Sequence, residues 1–313
     1  MKKQYFYGII ASCLFLTSII GCSSKESKDG ANQNGLVSIV TTLYPLEDFA
    51  KKIGGSHVQV TNVVPVGTES HDFEPSAKDL AKLSKANIFL YHGSGFESWT
   101  EKAASNLDKN KTKIVNASDG LALEKEGGAK GDHGHDHEGM DPHLWLDPTL
   151  AKKESRKIYD AIVSVDPAHK EEYTKNFAEL EKQFDQLDGE FQAMVKQATK
   201  KEFVTSHAAF SYLAHRYGLK QISISGLSPE DEPTPKELKA IIDEVKEHQV
   251  KYIFFETLVS GKMADVVKNE VKAEALILNP LEGLTAEELK SKQDYFSVMR
   301  KNKENLAKAL GAM

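Results

Sequence analysis

The chain has 313 residues and a formal charge of −6, with 40% of its residues hydrophobic. That acidic balance argues against a nucleic-acid partner, and the length and apolar content suffice for two lobes of about 100 to 150 residues each.

The first predicted element is a secretory signal over residues 1–21: Lys2 and Lys3 precede an apolar run from Tyr5 to Ile20 that is short for a permanent membrane span. Its end, Ile19-Ile20-Gly21-Cys22, resembles a bacterial lipobox, in which the cysteine is acylated and becomes the new first residue. Cys22 is therefore the expected lipid anchor. Residues 22–35, rich in Ser, Lys, Gly and Asn, read as a flexible tether. Cleavage removes Cys13 with the signal and takes the charge to −8. The mature chain then has no cysteine pair, and its stability must come from packing. No later stretch is apolar enough to cross a membrane.

An N-terminal lobe is expected over residues 36–166. Strand patterns at Leu36–Thr42, Val58–Val64, Ile88–Tyr91 and Lys113–Val115 alternate with helix patterns at Leu46–Ile53 and Ala77–Ala86, the rhythm of parallel βα units. Residues 124–140 interrupt it with His133, His135 and His137 among Gly, Asp and Glu, and are expected to form a mobile loop able to gather metal. Residues 167–198 form a predicted linking helix. Tyr173, Phe177, Leu180, Phe184, Leu187, Phe191 and Met194 recur at alternating spacings of four and three, giving one continuous apolar face. Asp166 is the expected N-cap and Pro167 the first helical residue of a rod roughly 45 Å long. A coiled-coil seam is the competing use of that stripe, but the pattern is short and aromatic. The C-terminal lobe, residues 199–313, repeats the first rhythm with strands at Glu202–Thr205, Gln221–Ile224, Val250–Phe255 and Ala275–Leu278, and helices including Pro235–His248 and Ala264–Val271. The expected fold class is α/β: two βα lobes linked by one long rigid helix.

Candidate ligands His71, His207, Glu256 and Glu282 lie near the carboxyl ends of strands, where open α/β folds bind small partners, and His143 is held in a stiff segment between two prolines. His71 sits in Gly67-Thr68-Glu69-Ser70-His71-Asp72, His143 between the prolines of Asp141-Pro142-His143-Leu144-Trp145-Leu146-Asp147-Pro148, and His207 in Thr205-Ser206-His207-Ala208-Ala209-Phe210. Three imidazoles and one carboxylate make a closed tetrahedral site suited to Zn²⁺. Glu256 and Glu282 are both placed to be the fourth ligand. No short zinc signature such as His-Glu-x-x-His is present.

Together these segments, with the His-rich loop and Asn279-Pro280-Leu281-Glu282-Gly283, resemble the zinc-uptake solute-binding lipoproteins of bacterial ABC transporters across nearly all of the mature sequence. The resemblance implies a metal in the cleft between the lobes, limited lobe movement, and no enzymatic role. It also implies ligation by His71, His143, His207 and Glu282, with delivery of Zn²⁺ to a membrane permease and its ATPase from a lipid-anchored position outside the cytoplasm. Glu256 then has the context of a carboxylate orienting a ligand histidine through its other ring nitrogen. The His-rich loop is shorter than in some relatives. Three rivals stand beside this reading: a manganese receptor of the same family, against which His207 argues; a zinc hydrolase, against which four protein ligands argue; and a surface adhesin.

Overall fold

A computed structural model describes residues 35–121 and 140–312. The expected signal, Cys22, most of the tether, and His133, His135 and His137 lie outside the described residues. In chain order the elements are β1 (Val37–Thr41), α1 (Tyr44–Gly54), β2 (Val58–Asn62), α2 (Ala77–Leu83), β3 (Ile88–Tyr91), α3 (Thr100–Ser105) and β4 (Lys113–Asn116). The helices α4 (Pro148–Val165) and α5 (Lys170–Gln197) follow. Then come β5 (Glu202–Thr205), α6 (Ser211–Tyr217), β6 (Lys220–Ser223), α7 (Pro235–Glu247), β7 (Tyr252–Phe255), α8 (Lys262–Val271), β8 (Glu274–Ile277), α9 (Ala286–Lys290) and α10 (Tyr295–Leu310).

The strands form two parallel sheets of the same topology, β2-β1-β3-β4 and β6-β5-β7-β8. In the first, Ile39 pairs with Val60 on one side and Ile88 on the other. Both sheets reverse strand order at an inner pair, β1 with β3 and β5 with β7. The loops leaving such a pair diverge and open a crevice at the carboxyl ends.

The connector differs from its expected form at one end. Pro167–His169 is a 3₁₀ turn, and the α-helix begins at Lys170. Asp166 makes no capping bond. Its carboxylate accepts instead from His169 Nδ1 at 2.6 Å and the Tyr173 hydroxyl at 2.7 Å, so the side chain that was expected to start the helix closes the turn before it. The 28 residues of α5 span roughly 42 Å at about 1.5 Å per residue.

All seven residues of the predicted stripe on α5 are buried, and they serve both lobes. Phe177 stacks on Tyr159 of α4 with centroids 4.9 Å apart. Phe184 meets Phe49 of α1 at 5.2 Å and Tyr295 and Phe296 of α10 at 5.7 and 5.0 Å. Phe191 stacks on Tyr217 of α6 at 5.1 Å. One hydrophobic core therefore runs from Ile39 and Leu90 through α5 to Phe203, Leu278 and Leu306, and a smaller apolar cluster lies elsewhere in each lobe. Among the described residues no helix is long and apolar enough to cross a membrane.

Candidate metal centre

The loop after β2 carries His71. Its backbone is shaped by Glu69, whose carboxylate accepts from the N–H of His71 at 2.8 Å and of Asp72 at 3.3 Å, and the His71 ring packs against Phe96 at 4.6 Å. His143 precedes a 3₁₀ turn, Leu144–Leu146. Asp141 Oδ1 accepts from both the backbone N–H of His143, at 2.9 Å, and its Nδ1, at 2.8 Å. That fixes the tautomer and leaves Nε2 as a free donor atom.

His207 lies two residues beyond β5, and its carbonyl accepts from Thr205 Oγ1 at 2.7 Å and Gln221 Nε2 at 2.9 Å. Its Nδ1 donates to Glu256 Oε1 at 2.6 Å. Glu256 follows β7 directly, so both ends of this bond leave the inner strand pair, and Ser206 Oγ donates to the same carboxylate. Glu282 follows β8 in a loop where Leu281 N–H donates to Asn279 Oδ1 at 2.7 Å.

The cluster brings together the Nε2 atoms of His71, His143 and His207 and Oε1 of Glu282. Oε1 is 3.4, 3.4 and 3.3 Å from the three nitrogens, and the His71 and His143 nitrogens are 3.3 Å apart. His143, His207 and Glu282 are buried, and His71 is largely so. Four donor atoms each about 2.0–2.1 Å from a Zn²⁺ ion at the centre of a tetrahedron are about 3.3–3.4 Å from one another, since the edge is about 1.63 times the radius. The four measured edges have that length. His207 Nε2 and Glu282 Oε1 are buried and lack hydrogen-bond partners among the described residues, an arrangement costly without a cation to coordinate. The donor set therefore fits zinc.

Electrostatics agree. Burial opposes charge on His207, but the carboxylates of Glu256 and Glu282 outweigh it and hold the imidazole up to about 10. Burial likewise opposes charge on His143, and Asp141 and Glu282 raise it. Burial would raise Glu282, but His71, His143 and His207 hold it well below the ordinary carboxylate range. The pocket is built for positive charge, with Glu282 the carboxylate inside the cluster and Asp141 and Glu256 behind two of its rings.

Glu256 stays outside the cluster, on the far side of the His207 ring. Sequence reasoning passed over two groups here. Asp141 was visible as the acid two residues before His143. His92 was not singled out: it follows β3, is fully buried, donates from Nε2 to the Pro142 carbonyl at 2.5 Å, and has Nδ1 3.0 Å from Glu154 Oε1. Burial works against protonating His92, and Glu154 overcomes it. Only strand order, not local sequence, brings His92 beneath the segment that carries His143.

A family profile described as zinc-uptake complex component A, periplasmic, matches residues 39–309. The chain belongs to this zinc-uptake component family. It is 39% identical to the high-affinity zinc uptake system protein ZnuA of Bacillus subtilis, covering 99% of this chain and 98% of that protein. It is also 39% identical to the zinc-binding lipoprotein AdcA of Streptococcus pneumoniae, where it covers 96% of itself but 60% of the longer relative. The Zn(II)-bound ZnuA-like domain of AdcA superposes with a TM-score of 0.76 at 38% identity, over 88% of this chain and 99% of that one. The laminin-binding protein Lmb of Streptococcus agalactiae, described as a bifunctional adhesin and metal transporter, superposes with a TM-score of 0.78 at 38% identity over the same shares. The zinc-uptake component family is one of solute receptors and not of enzymes. Four protein donors also leave no open coordination position of the kind catalytic zinc keeps.

Proposed function

We propose that this chain is a lipid-anchored receptor outside the cytoplasm that captures Zn²⁺ as cargo and passes it to the permease and ATPase of an ABC importer. His71, His143, His207 and Glu282 hold the ion. Asp141 and Glu256 orient two of the imidazoles, which raises their basicity and fixes which nitrogen faces the metal. The observation that carries the reading is that four of the six separations among the donor atoms are 3.3–3.4 Å and all are within 4.8 Å. Three imidazoles favour zinc over manganese, which suits oxygen-rich octahedral sites. The lipobox-like Ile19-Ile20-Gly21-Cys22 supports anchoring through Cys22, as does the lipoprotein name of AdcA. Residues 36–166 and 199–313 act as the two lobes and 167–198 as their spine. Metal analysis of the purified chain, followed by competition against a chromogenic chelator, tests the assignment. One tightly held Zn²⁺ per chain, with manganese far weaker, is the expected result; manganese preference would overturn it.

A second reading, adhesion, is favoured by the Lmb description alone. Saturable capture of the chain on immobilised laminin supports it, and absence of capture removes it.

A further inference from the structure

Glu282 belongs to the C-terminal lobe by chain order, yet its loop is fastened to the other lobe. Asn279 is tied to α10, its N–H donating to Asn302 Oδ1 at 2.8 Å and its carbonyl accepting from Asn302 Nδ2 at 2.7 Å. Beyond Asn279 the alternate carbonyls turn the other way. That of Pro280 accepts from the Trp145 indole at 2.7 Å, that of Glu282 from Ser70 Oγ at 3.0 Å, and that of Leu284 from the Gly67 N–H at 2.9 Å. The three donors come from the two N-terminal segments that carry His71 and His143. Trp145, Ser70, Leu281 and Glu282 are all buried, so these bonds face little competition from water. Between the first two held carbonyls Leu281 sits at φ +62°, a conformation a leucine keeps only where its surroundings impose it.

We infer that Ser70 and Trp145 are positioning residues for zinc capture: they clamp the carbonyls on either side of Leu281 and so present the Glu282 carboxylate to the imidazoles. This rests on the reading of Glu282 as a zinc ligand. Under it, Glu282 completes the site only while the lobes touch, because the bonds that aim it cross between them. A partner that parts the lobes removes the aim of one ligand without touching the metal.

The experiment measures zinc affinity by chelator competition, and zinc release by stopped flow, for Ser70→Ala, Ser70→Thr, Trp145→Phe and Glu282→Gln, and for Ser70→Ala and Trp145→Phe each combined with Glu282→Gln. Thermal unfolding of each metal-free variant runs alongside. Ser70→Ala and Trp145→Phe are each expected to weaken zinc about 10-fold, the lower end for groups that orient metal ligands, mainly through faster release. Ser70→Thr, which keeps the hydroxyl, is expected to restore affinity. In the Glu282→Gln background both effects should shrink, because the amide oxygen the clamp then aims is a weaker ligand than the carboxylate. Unchanged affinity in Ser70→Ala and Trp145→Phe, with Glu282→Gln weakened, overturns the clamp alone. So does additivity in the Glu282→Gln background, the mark of a general loss of packing. Unchanged affinity in Glu282→Gln overturns the ligand assignment and the clamp with it. If Trp145→Phe does not fold, Ser70→Ala decides.

Discussion

Glu256 Oε1 lies 2.6 Å from Nδ1 of His207, across the ring from the Nε2 that stands 3.3 Å from Glu282 Oε1. The two glutamates therefore act on one imidazole from opposite sides, one as its orienting partner and one as its neighbour in the donor cluster. Glu282→Ala is expected to weaken zinc binding more than Glu256→Ala, for which a loss of about 10- to 100-fold is expected. Chelator competition on both folded variants checks the order. A larger loss for Glu256→Ala would reverse the roles.

Zinc must displace protons to bind. The carboxylates that hold metal-free His207 up to about 10 leave a proton on its imidazole at neutral pH, and those beside His143 raise that ring as well, whereas Glu282, held low, is already ionised. Affinity should therefore fall as pH falls, by about tenfold per pH unit for each proton released. Calorimetry of zinc binding at pH 7 in buffers of different ionisation enthalpy should report proton release. An enthalpy independent of buffer would contradict it.

Deleting Glu124 to Gly139, which removes His133, His135 and His137, should leave the tight zinc site intact and abolish weaker binding. The four clustered donors all lie outside that segment, and a sequence so polar and Gly-rich gives up conformational entropy when it gathers an ion. Calorimetric titration resolves the two classes, and loss of the tight site in the deletion would refute the separation.

Cys22→Ala should abolish lipid attachment, because stable anchoring of such a chain needs acyl groups and no helix among the described residues can cross a membrane. Metabolic labelling with a fatty acid reads this directly. Label retained undiminished by the variant would rule Cys22 out as the attachment point.

Strands were the most legible part of the sequence. Ile88–Tyr91 and Glu202–Thr205 have the expected bounds, and Gln221–Ile224 and Ala275–Leu278 are displaced by a single position, because β-branched and aromatic runs end sharply at polar or glycine-containing turns. The stripe of α5 was visible for the same reason, since nothing polar interrupts it. Helices α4 and α10 were not singled out. Each carries a buried polar residue on the face that should read as apolar, Glu154 in α4 and Asn302 in α10. Both do work that lies far away in sequence: Glu154 faces His92, and Asn302 holds Asn279. The four clustered donors were each legible as candidates; strand position left Glu256 and Glu282 tied, and the reading of Glu282 as the ligand rested on its loop context and on the family resemblance. The fold puts Glu256 behind the His207 ring and Glu282 in front of it.

Phe184 touches Phe49 from one lobe and Tyr295 from the other, and those two rings are themselves 4.9 Å apart. Separating the lobes would thus expose the same rings whose burial keeps each of them folded. Domains joined through a large apolar contact lose the free hinge motion that a polar linker allows. Heating should melt such a chain in one cooperative transition, so that a molecule with two halves by shape behaves as a single unit by thermodynamics. Wide opening and unfolding then lie on the same path, and the receptor's working motion is confined to amplitudes that keep this aromatic seam dry.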